Sequence, residues 1–188
     1  MTPALGTKVV VYGPSGSGKT TLGRAIASAL GVPHIELDAI YHCRPAWDDL
    51  ADQEFRAAVR RVLAEHPGGW VIDGNYTPVR DLILPQADSA VWLRLPFRVV
   101  YPRLVRRTLR RAVSRELLWG ANRERWRDVF SRESMLIWGI ANWRPHHRRT
   151  AEALNGTPHS ARVLELHSTR EVRALLGELA SAPGATGG

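Results

Sequence analysis

Several features that would place a protein in another class are missing from this chain of 188 residues. It has a single cysteine, Cys43, which excludes a disulfide within the chain and any multi-cysteine zinc or iron–sulfur site. No run approaches the ~18 apolar residues that a membrane-spanning helix needs. The amino-terminal residues lack the charged and apolar regions of a secretory signal, so we expect a cytoplasmic protein with no membrane partner. Its hydrophobic fraction of 44% and charged fraction of 23% are typical of a globular domain.

Acidic residues are scarce in one region of the chain, where arginines are abundant. Residues 94–149 contain 15 arginines and four acids, a local net charge of +11, whereas the rest of the chain carries −3. Lysine is rare throughout, since Lys8 and Lys19 are the only two. A compositional preference for arginine would explain the residue type but not its clustering. The charge therefore indicates an anionic ligand bound in this region.

Short apolar runs alternate with helical patterns along the chain. Residues 7–12 form an apolar, β-branched run that ends at a Gly-Pro pair, which is typical of a buried parallel strand. The same reasoning predicts further strands at 34–37, 70–72, 90–95 and 163–166, and helices at 19–30, from 48 or 49 to about 65, at about 98–154 and at 169–179. This alternation predicts an α/β fold of three layers, with a five-stranded parallel sheet between helices. Such sheets bind their ligands at the carboxyl ends of the strands.

A glycine-rich motif follows the first predicted strand. Residues 13–20 match the P-loop pattern G-x-x-x-x-G-K-[ST] and lie between a strand and a helix, as the motif requires. Such a loop turns backbone N–H groups toward phosphate oxygens, and the helix that follows adds its positive end. We expect Lys19 to reach the β- and γ-phosphates of ATP, Thr20 to ligate Mg²⁺ and Thr21 to contact the α-phosphate. The other motif residues are expected to contact the nucleotide: Gly13, Pro14, Ser15, Gly16, Ser17 and Gly18.

Other classes of P-loop protein are excluded by motifs that the chain lacks. GTPases carry an N-K-x-D motif and a D-x-x-G switch, and ABC-type ATPases carry an LSGGQ signature; none of these occurs. The short P-loop kinases remain. Over about residues 5–180 the chain resembles the adenylate-kinase-like P-loop proteins often labelled topology modulation proteins, and more distantly adenylate, shikimate and gluconate kinases. The runs that carry this resemblance are VVVYGPSGSGKTTLGRAIA, HIELDAIYH, WVIDGNY, RRTLRRAVSRELLWGANRE and HSTREVRALL.

The resemblance implies roles for two aspartates at the ends of predicted strands. Asp73 corresponds to the aspartate with which adenylate kinases hold Mg²⁺ through water, and a turn-forming Asp-Gly pair is the alternative. Asp38 corresponds to the aspartate that contacts the acceptor hydroxyl in shikimate- and gluconate-type kinases and acts as a base; a capping aspartate is the alternative. His42 and Arg44 could face the same pocket. After Asp73 the chain departs from adenylate kinases, so Arg80 can grip a nucleoside monophosphate only if the loop folds back.

The arginines after the fourth predicted strand are expected to line a lid. Five of them are spaced so that most share one helical face: Arg103, Arg106, Arg107, Arg110 and Arg111. In the kinases that the chain resembles, arginines in this place embrace the transferring phosphoryl group. The resemblance thus implies a catalytic role for Arg107 and Arg111, and nucleotide binding by Arg115 and Arg123. A solvated helix with salt-paired arginines is the alternative for individual residues, but four acids cannot pair all fifteen.

These patterns together predict a Mg·ATP-dependent kinase that phosphorylates a small molecule, with a nucleoside, a nucleotide or a hydroxylated metabolite as the candidate acceptor. We expect a single domain at 1–180, with a helical lid at about 97–150 and a disordered tail at 181–188. An ATP-dependent nucleic-acid-binding protein and a nucleotide-binding regulator are the alternatives. Tryptophans interleave with the arginines as on single-strand-binding surfaces, although they also suit a helical core. His146 and His147 make no convincing metal site, and the oligomeric state is left open.

Overall fold

A computed structural model describes residues 5–45, 48–114, 141 and 143–181 of the protein, with residues 111–114 described by their backbone. Its strands are β1 (Lys8–Tyr12), β2 (His34–Glu36), β3 (Trp70–Asp73), β4 (Ser89–Leu93) and β5 (Arg162–Leu166). They form one parallel sheet in the order β2-β3-β1-β4-β5. The predicted α/β fold and its five-stranded parallel sheet are therefore confirmed. The apolar β1 lies at the centre of the sheet, where both faces of a strand are covered.

The helices of the described residues are α1 (Lys19–Leu30), α2 (Leu37–Tyr41), α3 (Asp52–Glu65), α4 (Arg80–Ile83), α5 (Phe97–Ser114), α6 (Trp143–Gly156) and α7 (Thr169–Ser181). α1 has its predicted bounds. α3 begins at Asp52 rather than at residue 48 or 49, because the Glu54 carboxylate accepts a hydrogen bond of 3.1 Å from the Ala51 N–H. That bond satisfies one of the N–H groups left free at a helix start. The short helices α2 and α4 were not predicted.

Alternate residues of the strands build one hydrophobic core on each face of the sheet. On one face, Val10 and Ile72 belong to the same buried cluster as Phe55 of α3. On the other face, Val11 belongs to a cluster with Ile26 of α1, and α7 contributes to the same cluster. The two clusters give the three-layer arrangement that was predicted.

The register of the sheet brings the carboxyl ends of the central strands to one edge. Val11 of β1 pairs with Asp73 at the end of β3, and Tyr12 pairs with Trp92 of β4. Because β1 continues directly into residues 13–18, the P-loop begins between the ends of β3 and β4. This is the edge at which open α/β sheets bind ligands.

The arginine-rich stretch between β4 and β5 is helical at both of its described ends, in α5 and α6. The intervening residues 115–140 and 142 lie outside the described residues, and so do residues 182–188. The roles predicted for Arg115 and Arg123 fall on this part of the chain and stay predictions. No helix of the described part is long and apolar enough to cross a membrane.

Candidate nucleotide and acceptor sites

The P-loop is shaped by close contacts that only glycine permits. Gly16 has a φ of 84°, in the left-handed region, and a Cβ atom there would lie 3.0 Å from the Val100 carbonyl oxygen and from Leu104 of α5. A Cβ at Gly13 would lie 2.6 Å from the Ser17 hydroxyl oxygen. The Ser17 N–H donates to the Pro14 carbonyl over 3.1 Å and closes the turn. The loop therefore folds tightly under α5 before the chain enters α1.

This loop fits the phosphate groups of a nucleotide. The Ser17 hydroxyl oxygen is buried and has no hydrogen-bond partner among the described residues, so the loop contains a polar atom that a phosphate oxygen would satisfy. Lys19 and Thr20 lie half-buried in the first turn of α1, and that turn contains no acidic residue. The amino-terminal end of α1 thus presents positive charge and N–H groups where the motif places phosphate.

Asp73 is buried at the end of β3 and is held by a histidine from the neighbouring strand. Its side chain is 2% exposed, and its Oδ2 atom lies 3.0 Å from Nε2 of His34, the first residue of β2. With the proton on Nε2, His34 donates a hydrogen bond to this carboxylate. Gly23 of α1 lies against the pair, since a Cβ at that position would be 2.7 Å from the His34 nitrogen. The Asp73 carboxylate is thus fixed beside α1, and it suits a Mg²⁺ ion that keeps most of its waters.

Asp38 lies on the short helix α2, two residues past the end of β2, rather than directly after a strand at 34–37. The Tyr76 hydroxyl donates a hydrogen bond of 2.7 Å to its Oδ1 atom. On the other side of this hydroxyl, His42 Nε2 lies 3.5 Å away, and the Nδ1 atom of the same ring contacts the Asp49 carboxylate. Burial and the charge of Asp38 raise the pKa of Tyr76, so the phenol stays protonated and remains a donor.

An aromatic cluster positions Tyr76 over α2. The rings of Tyr41, Phe55 and Tyr76 lie with their centroids 5.0 to 5.2 Å apart. Such edge-to-face and tilted contacts restrain the rings beyond the effect of simple burial. The cluster therefore sets the direction of the Tyr76 hydroxyl, and through it the orientation of the Asp38 carboxylate. Tyr76 was not predicted as a site residue, although it ends the run WVIDGNY, three residues past the end of β3.

The loop after β3 folds back and carries Arg80 toward the end of β1. Arg80 donates a hydrogen bond of 3.1 Å to the Asn75 side-chain oxygen, and its Nε atom is buried without a partner in the described part of the chain. Burial raises the pKa of Tyr12 to about 12, and the nearby positive charge of Arg80 opposes this rise. Arg80 is thus a half-buried cation at the sheet edge. Arg44 is engaged elsewhere, because it forms an ion pair of 2.7 Å with Glu54.

The predicted arginine face of α5 divides into exposed and partly buried residues. Arg103, Arg106 and Arg110 are exposed, whereas Arg107 is half-buried. Leu104 packs against the P-loop at Gly16. Arg107 lies one helical turn after Leu104. The backbone of Arg111 is one turn further along the same face, and its side chain lies outside the described residues. Among these arginines, the helix places Arg107 and Arg111 on the side that contacts the P-loop.

Comparison with known proteins identifies the family. A family profile described as an AAA domain matches residues 9–125, which is more than half of the chain. The chain belongs to this family. Two shikimate kinases resemble its sequence, one from Thermobifida fusca (37% identical over 76 residues) and one from Mycobacterium avium (38% identical over 78 residues). These matches cover 35% and 36% of this chain, and the chain spans 44% of the length of each relative.

Solved structures resemble the fold over nearly the whole chain. A shikimate kinase from Acinetobacter baumannii in complex with shikimate has a TM-score of 0.51 at 19% identity, over 93% of this chain and 91% of that chain. A gluconokinase from Sinorhizobium meliloti 1021 has a TM-score of 0.47 at 21% identity, over 94% and 93% of the two chains. The predicted resemblance to adenylate-kinase-like P-loop kinases is confirmed by the family match over residues 9–125 and by the similarity in sequence to the shikimate kinases.

Proposed function

We propose that this protein is a Mg·ATP-dependent phosphotransferase that transfers the γ-phosphoryl group to a hydroxyl of a small molecule. The observation that carries the proposal is the pair formed by Asp38 and Tyr76. A phenol that donates to one carboxylate oxygen leaves the other oxygen to receive an acceptor hydroxyl. The curated relatives named shikimate kinase support the same class of reaction. Their names favour the phosphotransferase over the nucleic-acid-binding alternative.

The residues of the P-loop would bind and orient the triphosphate. Lys19 would contact the β- and γ-phosphates, and the buried Ser17 hydroxyl would meet a phosphate oxygen. Thr20 and Asp73 would hold Mg²⁺, and the resemblance to adenylate kinases implies that Asp73 does so through a water molecule; its Oδ2 atom is held by His34. When bound, this ion neutralises the charge that develops on the phosphate oxygens. Arg107 and Arg111, with Arg115 and Arg123 from the predicted lid at about 97–150, would close over the phosphates.

The acceptor that best fits the described residues is an alcohol that also carries an anionic group. Asp38 would orient its hydroxyl and accept the proton as the oxygen attacks phosphorus. Arg80 makes no ion pair in the described part of the chain, and a half-buried guanidinium favours a carboxylate or phosphate partner. Both residues are tied to the loop after β3, Asp38 through Tyr76 and Arg80 through Asn75. This loop would therefore position both the residue that binds the acceptor hydroxyl and the residue that binds its anionic group.

The test is a screen for acceptor-dependent release of ADP from Mg·ATP. The panel contains nucleosides, nucleoside monophosphates, polyols and hydroxylated acids, with shikimate and gluconate among the acids. We expect turnover with at least one hydroxylated anion, and much less with its uncharged partner, such as the methyl ester of shikimate or the polyol glucitol. Mass spectrometry of the product checks that a phosphate ester has formed. If no member raises ADP release above the rate with ATP alone, the proposed function is wrong.

Removing the Tyr76 hydroxyl should slow transfer without disturbing the nucleotide. Tyr76→Phe keeps the ring in its aromatic cluster but leaves Asp38 without its donor, so we expect kcat to fall ~10-fold with an unchanged Kd for ATP. Tyr41→Phe is the matched control, because Tyr41 packs in the same cluster without donating to Asp38. In an Asp38→Ala background, which leaves the Tyr76 hydroxyl without this acceptor, the Tyr76 change should lower kcat no further. Equal effects in both backgrounds would show that Tyr76 acts independently of Asp38.

A further inference from the structure

Helix α6 contacts residues near the carboxyl ends of β3 and β4. At one side, Asn75, two residues past the end of β3, donates a hydrogen bond of 2.9 Å to the buried Thr150 hydroxyl. At the other side, the His147 ring lies 6.0 Å from the ring of Trp92 in β4. β1 lies between β3 and β4 and leads into the P-loop. The first two turns of α6 therefore lie near the edge of the sheet at which the P-loop begins.

Two adjacent histidines lie on this part of α6 and face different surroundings. His147 packs against aromatic rings, with its centroid 4.6 Å from that of Trp143. His146 precedes Thr150 by one turn, and its carbonyl accepts a bond of 2.9 Å from the Thr150 hydroxyl. The Nδ1 atom of each histidine is buried and has no partner among the described residues. A buried nitrogen without a hydrogen bond lowers the stability of the folded protein, so a ligand atom that bonds to it would remove this cost.

Lys19 of the P-loop is the charged group with the largest effect on His146. Burial lowers the pKa of His146 to about 3, and the next largest cause is the charge of Lys19, followed by His147 and Arg149. For His147 the charged neighbour is instead Arg94. The imidazole of His146 is therefore neutral at physiological pH, and the P-loop lysine is close enough for its charge to act on this ring. A neutral imidazole can donate one N–H bond to an anion held by that lysine.

We propose that His146 is a phosphate-binding residue whose Nδ1–H donates a hydrogen bond to the polyphosphate chain held at Lys19. The proposal deepens the proposed function, since it rests on ATP binding at the P-loop. It accounts for the unpartnered nitrogen, because a phosphate oxygen would complete its hydrogen bonding. It also gives α6 a role that the arginines of α5 do not fill, as a second wall of the phosphate site. The bond would join α6 to the P-loop through the nucleotide.

The test measures binding rather than turnover, by calorimetric titration of the full chain with Mg·ATP and with Mg·tripolyphosphate. His146→Leu removes the donor at similar volume, and we expect the Kd for both ligands to rise ~10-fold, the effect of one charge-assisted hydrogen bond. His147→Leu is the matched control and should leave both values within ~2-fold of wild type. His146→Asn carries an amide donor near the position of Nδ1 and should restore most of the affinity.

The possible failures of this test are distinguishable. If the wild-type protein binds neither ligand, the proposed function itself fails. If the wild type binds ATP and His146→Leu binds both ligands as tightly as the wild type does, His146 is not a phosphate ligand. A loss for ATP without a loss for tripolyphosphate would place the contact on the base or ribose and overturn the proposal. If His146→Leu unfolds, His146→Ala takes its place: a Kd raised about tenfold for both ligands supports the proposal, and an unchanged Kd overturns it.

Discussion

Lys19→Ala is expected to lower phosphoryl transfer by at least ~10²-fold, the scale of one lost electrostatic stabiliser in an active site. The Lys19 side chain lies in the first turn of α1, at the proposed phosphate site. No other lysine can replace it, because Lys8 lies at the opposite end of β1. The measurement is the initial rate of ADP release with saturating Mg·ATP and the acceptor identified by the screen.

Lys8→Ala is the matched control for this change. It removes the other lysine of the chain from the same strand–loop–helix unit, but at the amino end of the sheet, and should leave the rate unchanged. Circular dichroism and thermal unfolding would check that both variants are folded. Undiminished turnover in a folded Lys19→Ala protein would rule out the assigned role of the P-loop.

Asp38→Asn is expected to lower transfer to the acceptor by ~10²–10⁴-fold, the range of one general base. The amide oxygen can still accept from the Tyr76 hydroxyl, so the local geometry is kept while the proton acceptor is lost. The Kd for ATP should stay unchanged, since Asp38 contacts the loop after β3 rather than the P-loop. Steady-state kinetics with the identified acceptor, together with calorimetric titration of ATP, separates the two effects.

Asp48→Asn provides the control for Asp38, because it neutralises an exposed carboxylate ten residues away whose nearest cation is Arg44 at 3.7 Å. Its kinetics should match those of the wild type. If Asp38→Asn phosphorylates the acceptor as fast as the wild-type protein, Asp38 is a capping or structural aspartate and the acceptor site lies elsewhere. The P-loop assignment would not be affected by that result.

The boundaries of several elements were decided by contacts that the sequence does not display. The run 34–37 was predicted as one strand, but Leu37 turns into α2 and carries Asp38 with it. The apolar pattern of such a short run does not distinguish a strand from a helical turn. The sequence pattern predicts no helix or strand at 77–86, where the structure has α4 between two 3₁₀ turns, Thr77–Val79 and Leu84–Gln86. Each turn has a proline in its first positions, which is compatible with a helical start.

The sequence by itself determined the fold class, the central strand and the P-loop, because these depend on local signals. Short stretches of sequence contain all of these signals: the apolar runs of β1, β3 and β4, the motif spacing of Gly13–Thr20 and the bounds of α1. The tertiary structure alone decided which side chains meet at the sheet edge. His34 reaches Asp73 across 39 residues, Tyr76 reaches Asp38 across 38, and Asn75 reaches Thr150 across 75. No local pattern encodes such pairs, since parallel strands bring distant residues together only after the helices between them have packed.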